Sequence, residues 1–469
     1  MILLNLIRNL NKTFIPLSNF KKNSFNSFND HKKLLSTLNA SHISTKETID
    51  SLIGFSPEEC DVCLVFVSRT YESNDIEILP QYLYSKLKPK FLGGCVVDKI
   101  YNNNDTNNSG HGISLLLGNW KKDNNEKNSG KIRFNGFCTN IKEQRHHQFK
   151  TNSVGRWKNL DDFELPNLFD INKFKSISSV PNDFDLPEEL KILKIENISP
   201  DLIFFVSDSE PYQFLESLDY HFPTSKKIGI IGTSTPFLTG LPFTLFHNDN
   251  ILSKGIIGVA LTAESSNTFK NQFQIEYPSL SAIGDPLEIT SCRGNIILKL
   301  DKTNPTELLL NRLQSGNNKK TLLKENELYL GLYNSNNKRN QLDESTLIIN
   351  KILGGDPTKG NLAIDTIMDL KEGQFVKFLY KKKEFDTTFL QNKIKNHEQI
   401  QILLTTSDQD MMDSTSINDI FMLKNNNKNI FGATSENGII IGKGKNGNTW
   451  VCNVPYSTAS LLLSKNLKS

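Results

Sequence analysis

The stretch DLIFFVS, residues 201–207, follows the plan of DVCLVFVS, residues 61–68. Each opens on aspartate, runs through an unbroken apolar and β-rich segment, and closes on serine. A strand with one wet face alternates apolar and polar residues. An unbroken run instead reads as a strand buried on both faces, inside a sheet covered by helices. The flanks agree. After the first run, ILPQYLYSKLKPKFLGG (78–94) is helical in composition and delivers the chain to Gly93 and Gly94. After the second, PYQFLESLDYHFPTSKKIGIIG (211–232) reads as a helix and then a strand ending at Gly232. Each copy then passes through a variable loop into another apolar strand, GISLLLG (112–118) and GIIGVAL (255–261).

Three matched elements in one order imply duplicated β–α–β–β units. The fold class expected is therefore α+β, with mixed sheets packed with helices and followed by a second α+β module. The expected divisions are residues 1–40 as a leader or tail, 45–300 as the duplicated module, and 301–469 as the second module. Residues 121–200 are polar and punctuated by proline, and read as an elaborated connection. A further echo runs through QILLTTSDQD (401–410), IFGATSENGIIIG (430–442) and STASLLL (457–463). Ser209, ahead of Glu210 and Pro211, is placed to cap a helix.

Composition excludes several function classes. A net charge of +3 over 469 residues is too mild for nucleic acid, which wants clustered Lys and Arg with stacking aromatics. The KKK at 381–383 reads as an exposed face or turn. No apolar run approaches the ~20 residues that cross a bilayer as a helix, so no integral membrane association is expected. The apolar content of 37% is held down by asparagine runs, such as 102–104 and 425–427, which read as solvated loops. The first thirty residues lack an acid before Asp30 and carry Arg8, Lys12, Lys21 and Lys22. Leu3, Leu6, Ile7 and Leu10 fall on one helical face there. That is the composition of a mitochondrial transit peptide, which places the chain in the matrix. A basic tail in an asparagine-rich proteome reads the same way and leaves it cytoplasmic.

Catalytic and cofactor motifs fail one by one. GGDPTKGNLAI (354–364) resembles a phosphate cradle, but its Lys359 precedes the second glycine, and NLAIDTIMDL alternates as a strand does. A P-loop needs the lysine after that glycine and a helix beyond it, so DPTKG is a reverse turn. GKGKNG (442–447) fails in the same way. GTSTP (232–236) lacks the closing glycine of a nucleophile elbow. Cys60 and Cys63 form a C-x-x-C at the opening of a strand, where positions three apart face opposite sides, and no second pair completes a zinc site. The six cysteines are scattered, so no disulfide framework is expected. His146 and His147 lie in the connection, and His221 and His247 in loops, none at metal-ligand spacing. The chain is expected not to be an enzyme, with no metal and no cofactor.

A binding reading survives. Ligands of open α/β sheets gather at loops leaving the carboxyl ends of strands. Those positions are Ser68 and Arg69 after the first strand, and Asp208 and Glu210 after its counterpart. Gly232, Thr233 and Ser234 follow the next strand. A cation, carboxylates, hydroxyls and open backbone suit a zwitterion such as an amino acid, although turn capping accounts for the same residues without a ligand.

Over roughly residues 50–465 the chain resembles FIST-domain proteins, with both N-terminal and C-terminal modules. The carriers are AIGDPLEITSCRGNIILKLDKTNPTELL (282–309), NKILGGDPTKGNLAIDTIMDLKEGQFVKFL (350–379) and PDLIFFVSDSEPYQFLESLDYHFPTSKKIGIIG (200–232). The resemblance implies a sensory domain for small ligands such as amino acids. The alternative it implies is a protein-interaction adaptor related to F-box/FIST substrate-recruiting subunits of ubiquitin ligases. The chain departs from the latter in showing no F-box-like Leu-Pro start in its first fifty residues. It departs from many relatives at Ser279-Leu280-Ser281, where Gly-Cys-Arg is common.

Overall fold

The strands β2 (Val62–Ser68) and β7 (Leu202–Ser207) are buried at every position, as their unbroken apolar character requires. Each leads into a helix, α2 (Ser73–Leu87) after β2 and α4 (Tyr212–His221) after β7. The chain then returns as a parallel partner, β3 (Phe91–Val97) or β8 (Lys226–Ile231). In α2 the residues Ile76, Leu79, Pro80, Leu83 and Leu87 form one buried stripe at helical spacing. Lys88, in the left-handed region at φ 44°, ends the helix by donating its N–H to the Tyr84 carbonyl.

The architecture is a computed structural model that describes residues 35–40, 44–53, 60–101, 110–119, 132–139, 186–263, 269–315, 327–333, 339, 342, 344, 347–356, 358–366, 369–382, 400–407, 429–444 and 449–465. The leader-like segment before residue 34, the asparagine runs, His146, His147 and most of the 121–200 connection lie outside these residues. The described part of that connection is structured. It supplies β6 (Ile132–Thr139) and α3 (Glu188–Ile195).

Three open sheets share one arrangement. The first runs β1 (Leu35–Ala40), β5 (Ile113–Gly118), β2, β3, β9 (Leu245–His247), β10 (Asn250–Leu252). The second runs β6, β11 (Ile256–Ala263), β7, β8, β21 (Ile439–Gly442), β22 (Trp450–Cys452). The third runs β12 (Phe269–Glu276), β23 (Thr458–Lys465), β19 (Ile400–Thr406), β20 (Ile430–Ser435), β4 (Lys99–Ile100). In each, a parallel pair is flanked on both sides by antiparallel strands. One flanking strand always comes from the chain of another sheet. Following β3, β4 borders β20; following β8, β9 borders β3; following β20, β21 borders β8. The three exchanges close a circle.

A glycine recurs at one register in all three pairs. Gly94 stands opposite Val65, Gly229 opposite Phe205, and Gly432 opposite Leu403. A Cβ on Gly94 would collide with the Val65 carbonyl oxygen. On Gly229 it would lie 2.5 Å from the Phe205 carbonyl oxygen, and on Gly432 2.7 Å from that of Leu403. The inner faces meet in a shared core in which each sheet supplies one ring. Phe66 stacks on Phe431 at 4.5 Å, and Phe204 sits edge-on or tilted to both, at 6.2 and 5.9 Å. The outer face of the first sheet is covered by α2 and α1 (Thr45–Ile53), with Ile49, Leu79, Leu83, Val65 and Val67 in one cluster. That of the second is covered by α3 and α4 around Leu190, Phe205 and Leu218.

Between β12 and β19 the chain builds a closed six-stranded barrel. Its order is β13 (Leu280–Arg293), β14 (Ile296–Leu300), β17 (Asn361–Ile364), β16 (Leu347–Asp356), β15 (Leu328–Tyr333), β18 (Phe375–Lys381). Helix α5 (Pro305–Ser315) is capped by Asn304, whose Oδ1 accepts the N–H groups of Thr306 and Glu307 at 3.0 and 3.1 Å. The division expected after residue 300 falls between β14 and α5, within the barrel.

The GGDPTKG stretch joins β16 to β17. Asp356 Oδ1 accepts the amides of Thr358 and Lys359 at 2.8 and 3.1 Å, its carbonyl accepts that of Gly360, and Gly360 has φ +70°. The amides a phosphate would need are engaged by the turn itself. The capping expectation for Ser209 is corrected: α4 starts later, with Pro211 at the N-cap position and no side-chain cap, and Asp208 Oδ1 accepts the Glu210 amide ahead of it at 2.9 Å. Cys60 and Cys63 do not face opposite sides either. Cys60 precedes the strand, and both thiols join one apolar cluster. Burial raises the Cys60 pKa to about 11. His247 belongs to strand β9, not a loop, and burial lowers its pKa.

Substituting alanine at Gly94, Gly229 or Gly432 forces each parallel pair apart at the same level. Each change is expected to destabilise the protein by about 3 kcal/mol or more, the upper end for overpacking. Gly354, where an added Cβ meets nothing, is the control. Urea unfolding midpoints of the four alanine variants check this.

Candidate functional site

Strands of a parallel pair end side by side, so the loops leaving them are neighbours. Here the inter-sheet crossings bring such ends together from all three sheets. Arg69 follows β2, Asp98 lies between β3 and β4, Thr233 and Ser234 follow β8, Ser407 follows β19, and Glu436 lies between β20 and β21. The Arg69 guanidinium reaches both carboxylates through Nη1, 3.3 Å from Asp98 Oδ1 and 3.3 Å from Glu436 Oε2. Asp98 is buried and accepts hydroxyl hydrogen bonds from Thr233 on one oxygen and Ser407 on the other. Glu436 Oε1 accepts the Ser234 amide at 3.4 Å, and Asn437 Nδ2 donates to the Gly232 carbonyl at 2.9 Å. One hydrogen-bonded cluster thus spans residues 69 to 437.

Exposure is uneven within it. The Asp98 side chain is 4% exposed and that of Glu436 10%, while 31% of the Arg69 side chain meets solvent. Solvent therefore reaches the cluster on the guanidinium side. Burial, and then the neighbouring Asp98 charge, raise the Glu436 pKa; Arg69 opposes the shift. Burial likewise lowers the pKa of Lys99, next along the chain. Two buried hydroxyls at these strand ends, Ser207 and Thr434, have no hydrogen-bond partner among the described residues.

The residues singled out in the sequence divide into two groups. Arg69, Thr233 and Ser234 enter the cluster, and Gly232 contributes a backbone carbonyl to it. Ser68 and Asp208 do other work. Ser68 Oγ accepts the Gly112 amide at 3.1 Å and Asp208 Oδ2 the Gly255 amide at 2.9 Å, each fixing the residue before a flanking strand. Thr406 does the same for Ser457 at 2.9 Å. Glu210 is exposed. Sequence reasoning missed Asp98, Ser407, Glu436 and Asn437. A signal existed, since Asp98 ends CVVD as Thr233 ends GIIGT, and Ser407 and Glu436 close the third echo. The rule applied to 232–234 had only to be carried to the other pairs.

The description that matches this chain is that of the FIST N domain, over residues 61–303, more than half of the 469 residues. The chain belongs to the FIST family. FIST domains are a family of sensory domains, and the match takes in β2 to β14 and therefore Arg69, Asp98 and Thr233. Ser407 and Glu436 lie beyond it. No curated protein matches the chain. Among solved structures, cyanuric acid hydrolase, described as an evolutionary innovation by structural concatenation, aligns at 7% identity. The alignment covers 92% of this chain and 99% of the other, with a TM-score of 0.25, a likeness that carries no argument.

The raised Glu436 pKa has a sign that can be worked out. Between the ordinary glutamate value of 4.5 and the raised folded value, the folded state holds a proton that the unfolded state has lost. The associated stability is fully present below 4.5 and disappears as pH rises through the folded pKa. Urea unfolding of Glu436→Gln is expected to lose that part of the pH dependence. By NMR titration, Asp98→Asn is expected to move the Glu436 midpoint down and Arg69→Met to move it up.

Proposed function

We propose that this FIST protein is a non-catalytic sensor of a small zwitterion, an amino acid in the simplest case, bound at the Arg69–Asp98–Glu436 cluster. The supporting observation is the charge balance. Two largely buried carboxylates share one guanidinium, and an uncompensated buried charge costs several kcal/mol. Lys99 also feels the Asp98 charge, but among the described residues Glu436 pairs with Arg69 alone, so it either protonates or takes a cation. An α-ammonium group satisfies Glu436, and an α-carboxylate meets the solvent-facing side of Arg69. Guanidinium suits that contact because it pairs with carboxylates in a planar fork. The unpartnered Ser207 and Thr434 hydroxyls add polar capacity at the same strand ends. On this reading the two β–α–β units are copies of one, and their carboxyl-end loops were turned to a common centre.

Binding is expected to release a proton from Glu436, so the calorimetric heat should depend on the ionisation enthalpy of the buffer at pH values just above the ordinary glutamate value of 4.5. A screen of the common amino acids by thermal shift should find at least one that raises the melting temperature, as any ligand of the folded state does. Arg69→Ala should weaken binding at least tenfold. If no amino acid stabilises the wild-type chain, the zwitterion assignment fails.

One observation favours a second reading, that of a protein-interaction adaptor. Phe237 is fully exposed on the turn between β8 and β9, and that turn is firmly held. Thr244 Oγ1 lies 2.7 Å from the hydroxyls of both Thr235 and Thr239, and Thr235 also bonds the carbonyl of Leu241. A large ring held rigidly in water is an anchor for a partner. The adaptor reading expects ubiquitin-ligase subunits to co-purify with the chain and to be lost from Phe237→Asp, with amino-acid binding unchanged. Recovery of none with the wild-type chain removes this reading.

A further inference from the structure

The barrel carries a groove built from other elements than the strand-end cluster. Its volume is about 480 Å³, within the range of small-molecule sites. The floor is made by residues in register across four neighbouring strands. Leu379 of β18 pairs with Ala282 of β13 and Tyr329 of β15, and Gly331 of β15 pairs with Lys377 of β18 and Ile349 of β16. The alternate residues Leu330, Leu332, Ile348, Val376 and Phe378 are all buried and fill the barrel on the opposite face, as the two-residue strand period demands. The groove is therefore on the outer wall. Tyr277, just before the barrel, closes one side by donating its hydroxyl to the Leu347 carbonyl at 3.1 Å.

Gly331 is the telling position. The apolar ends of three neighbours close over it, so an added Cβ would lie 2.8 Å from Leu347 Cδ2 and 3.2 Å from both Ile349 Cδ1 and Leu379 Cδ1 and would push them into the groove. These three residues line the groove. A glycine inside a strand weakens it, and marks places where another group approaches closely.

The charges at the mouth are Glu276, Glu344, Lys377 and Lys382. Three of them have partners. Glu344 Oε1 accepts from Lys377 Nζ at 2.7 Å and from the Tyr333 hydroxyl at 2.8 Å, and Glu276 is not free either. Lys382 is held at the rim by its backbone N–H, bonded to the Ser279 carbonyl at 2.8 Å. Its ammonium has no hydrogen bond or ion pair with any described residue.

We propose that this groove binds an amphipathic monocarboxylate, its hydrocarbon tail along Leu280, Leu347, Ile349 and Leu379, its carboxylate on Lys382. An apolar floor with one cation at the mouth that no described residue pairs with fits that class. A polar zwitterion would leave the floor unfilled, and an alkylammonium would set its charge against Lys382.

Calorimetry on the full chain tests this with octanoate, decanoate, decanol and decylammonium, all below their micellar concentrations. Decanoate is expected to bind one to one, with affinity rising about fourfold for each methylene added from octanoate. Decylammonium is expected not to bind. Lys382→Glu should weaken decanoate at least tenfold, and Gly331→Leu should abolish its binding. Arg69→Ala should change nothing, which separates this site from the zwitterion site. Because Lys382 is a rim residue, its variant keeps the fold and decides the matter even if Gly331→Leu does not fold. No decanoate binding to the wild-type chain, equal binding of decanol and decanoate, or indifference to Lys382→Glu overturns the proposal.

Discussion

The chain leaves each parallel pair and completes a different sheet. Everything else in the molecule follows from that crossing. Residues 98, 233 and 436 lie where the chain passes from one sheet to the next, so polar groups from distant parts of the sequence are delivered to one place. The same parallel pairs carry the glycines at 94, 229 and 432. At that level the second strand runs so close to the first that a Cβ would meet its neighbour's carbonyl oxygen. Beneath the polar cluster the three sheets are locked by Phe66, Phe204 and Phe431, one from each. The aromatic trio provides the apolar stabilisation of the arrangement, while the charged groups above it set its chemistry.

Within the polar cluster the two carboxylates are unequal. Asp98 receives two hydroxyl hydrogen bonds as well as the guanidinium, so its negative charge is well supported. Glu436 shares the guanidinium but, among the described residues, receives only one long backbone hydrogen bond besides. Desolvation therefore weighs more heavily on Glu436, and it is this group whose proton affinity rises. The protein thus sets two carboxylates of unequal hydrogen-bond support on either side of a single arginine.

Much of the local structure could be read from sequence. The runs at 61–68 and 201–207 are strands, the segments after them are helices, and DPTKG is a turn stabilised by its own aspartate. These features depend on neighbours a few residues away. Strand order does not. Nothing near Lys99 and Ile100 reveals that they border β20, more than three hundred residues later, and for that reason Asp98 and Glu436 were not joined. The barrel was hidden differently. Its longest strand, β13, mixes buried and exposed positions without a clean alternation, because its register shifts against both neighbours and each shift resets the facing of side chains. The helix cap assigned to Ser209 failed for a simpler reason: the helix begins two residues later, with Pro211 in the N-cap position.

Reciprocal lending of strands makes the fold indivisible in a way that sequence matching does not convey. Residues 61–303 carry the family likeness, yet a piece cut to those limits would lack β21, and β8 would become a bare edge. It would also lack β20, leaving β4 without a neighbour and removing the third ring of the aromatic trio. Exposed edges of that kind invite pairing with other chains. Evolution is thereby denied the easy route of shuffling one sheet into another protein, since whatever inherits part of this circle inherits its broken ends as well.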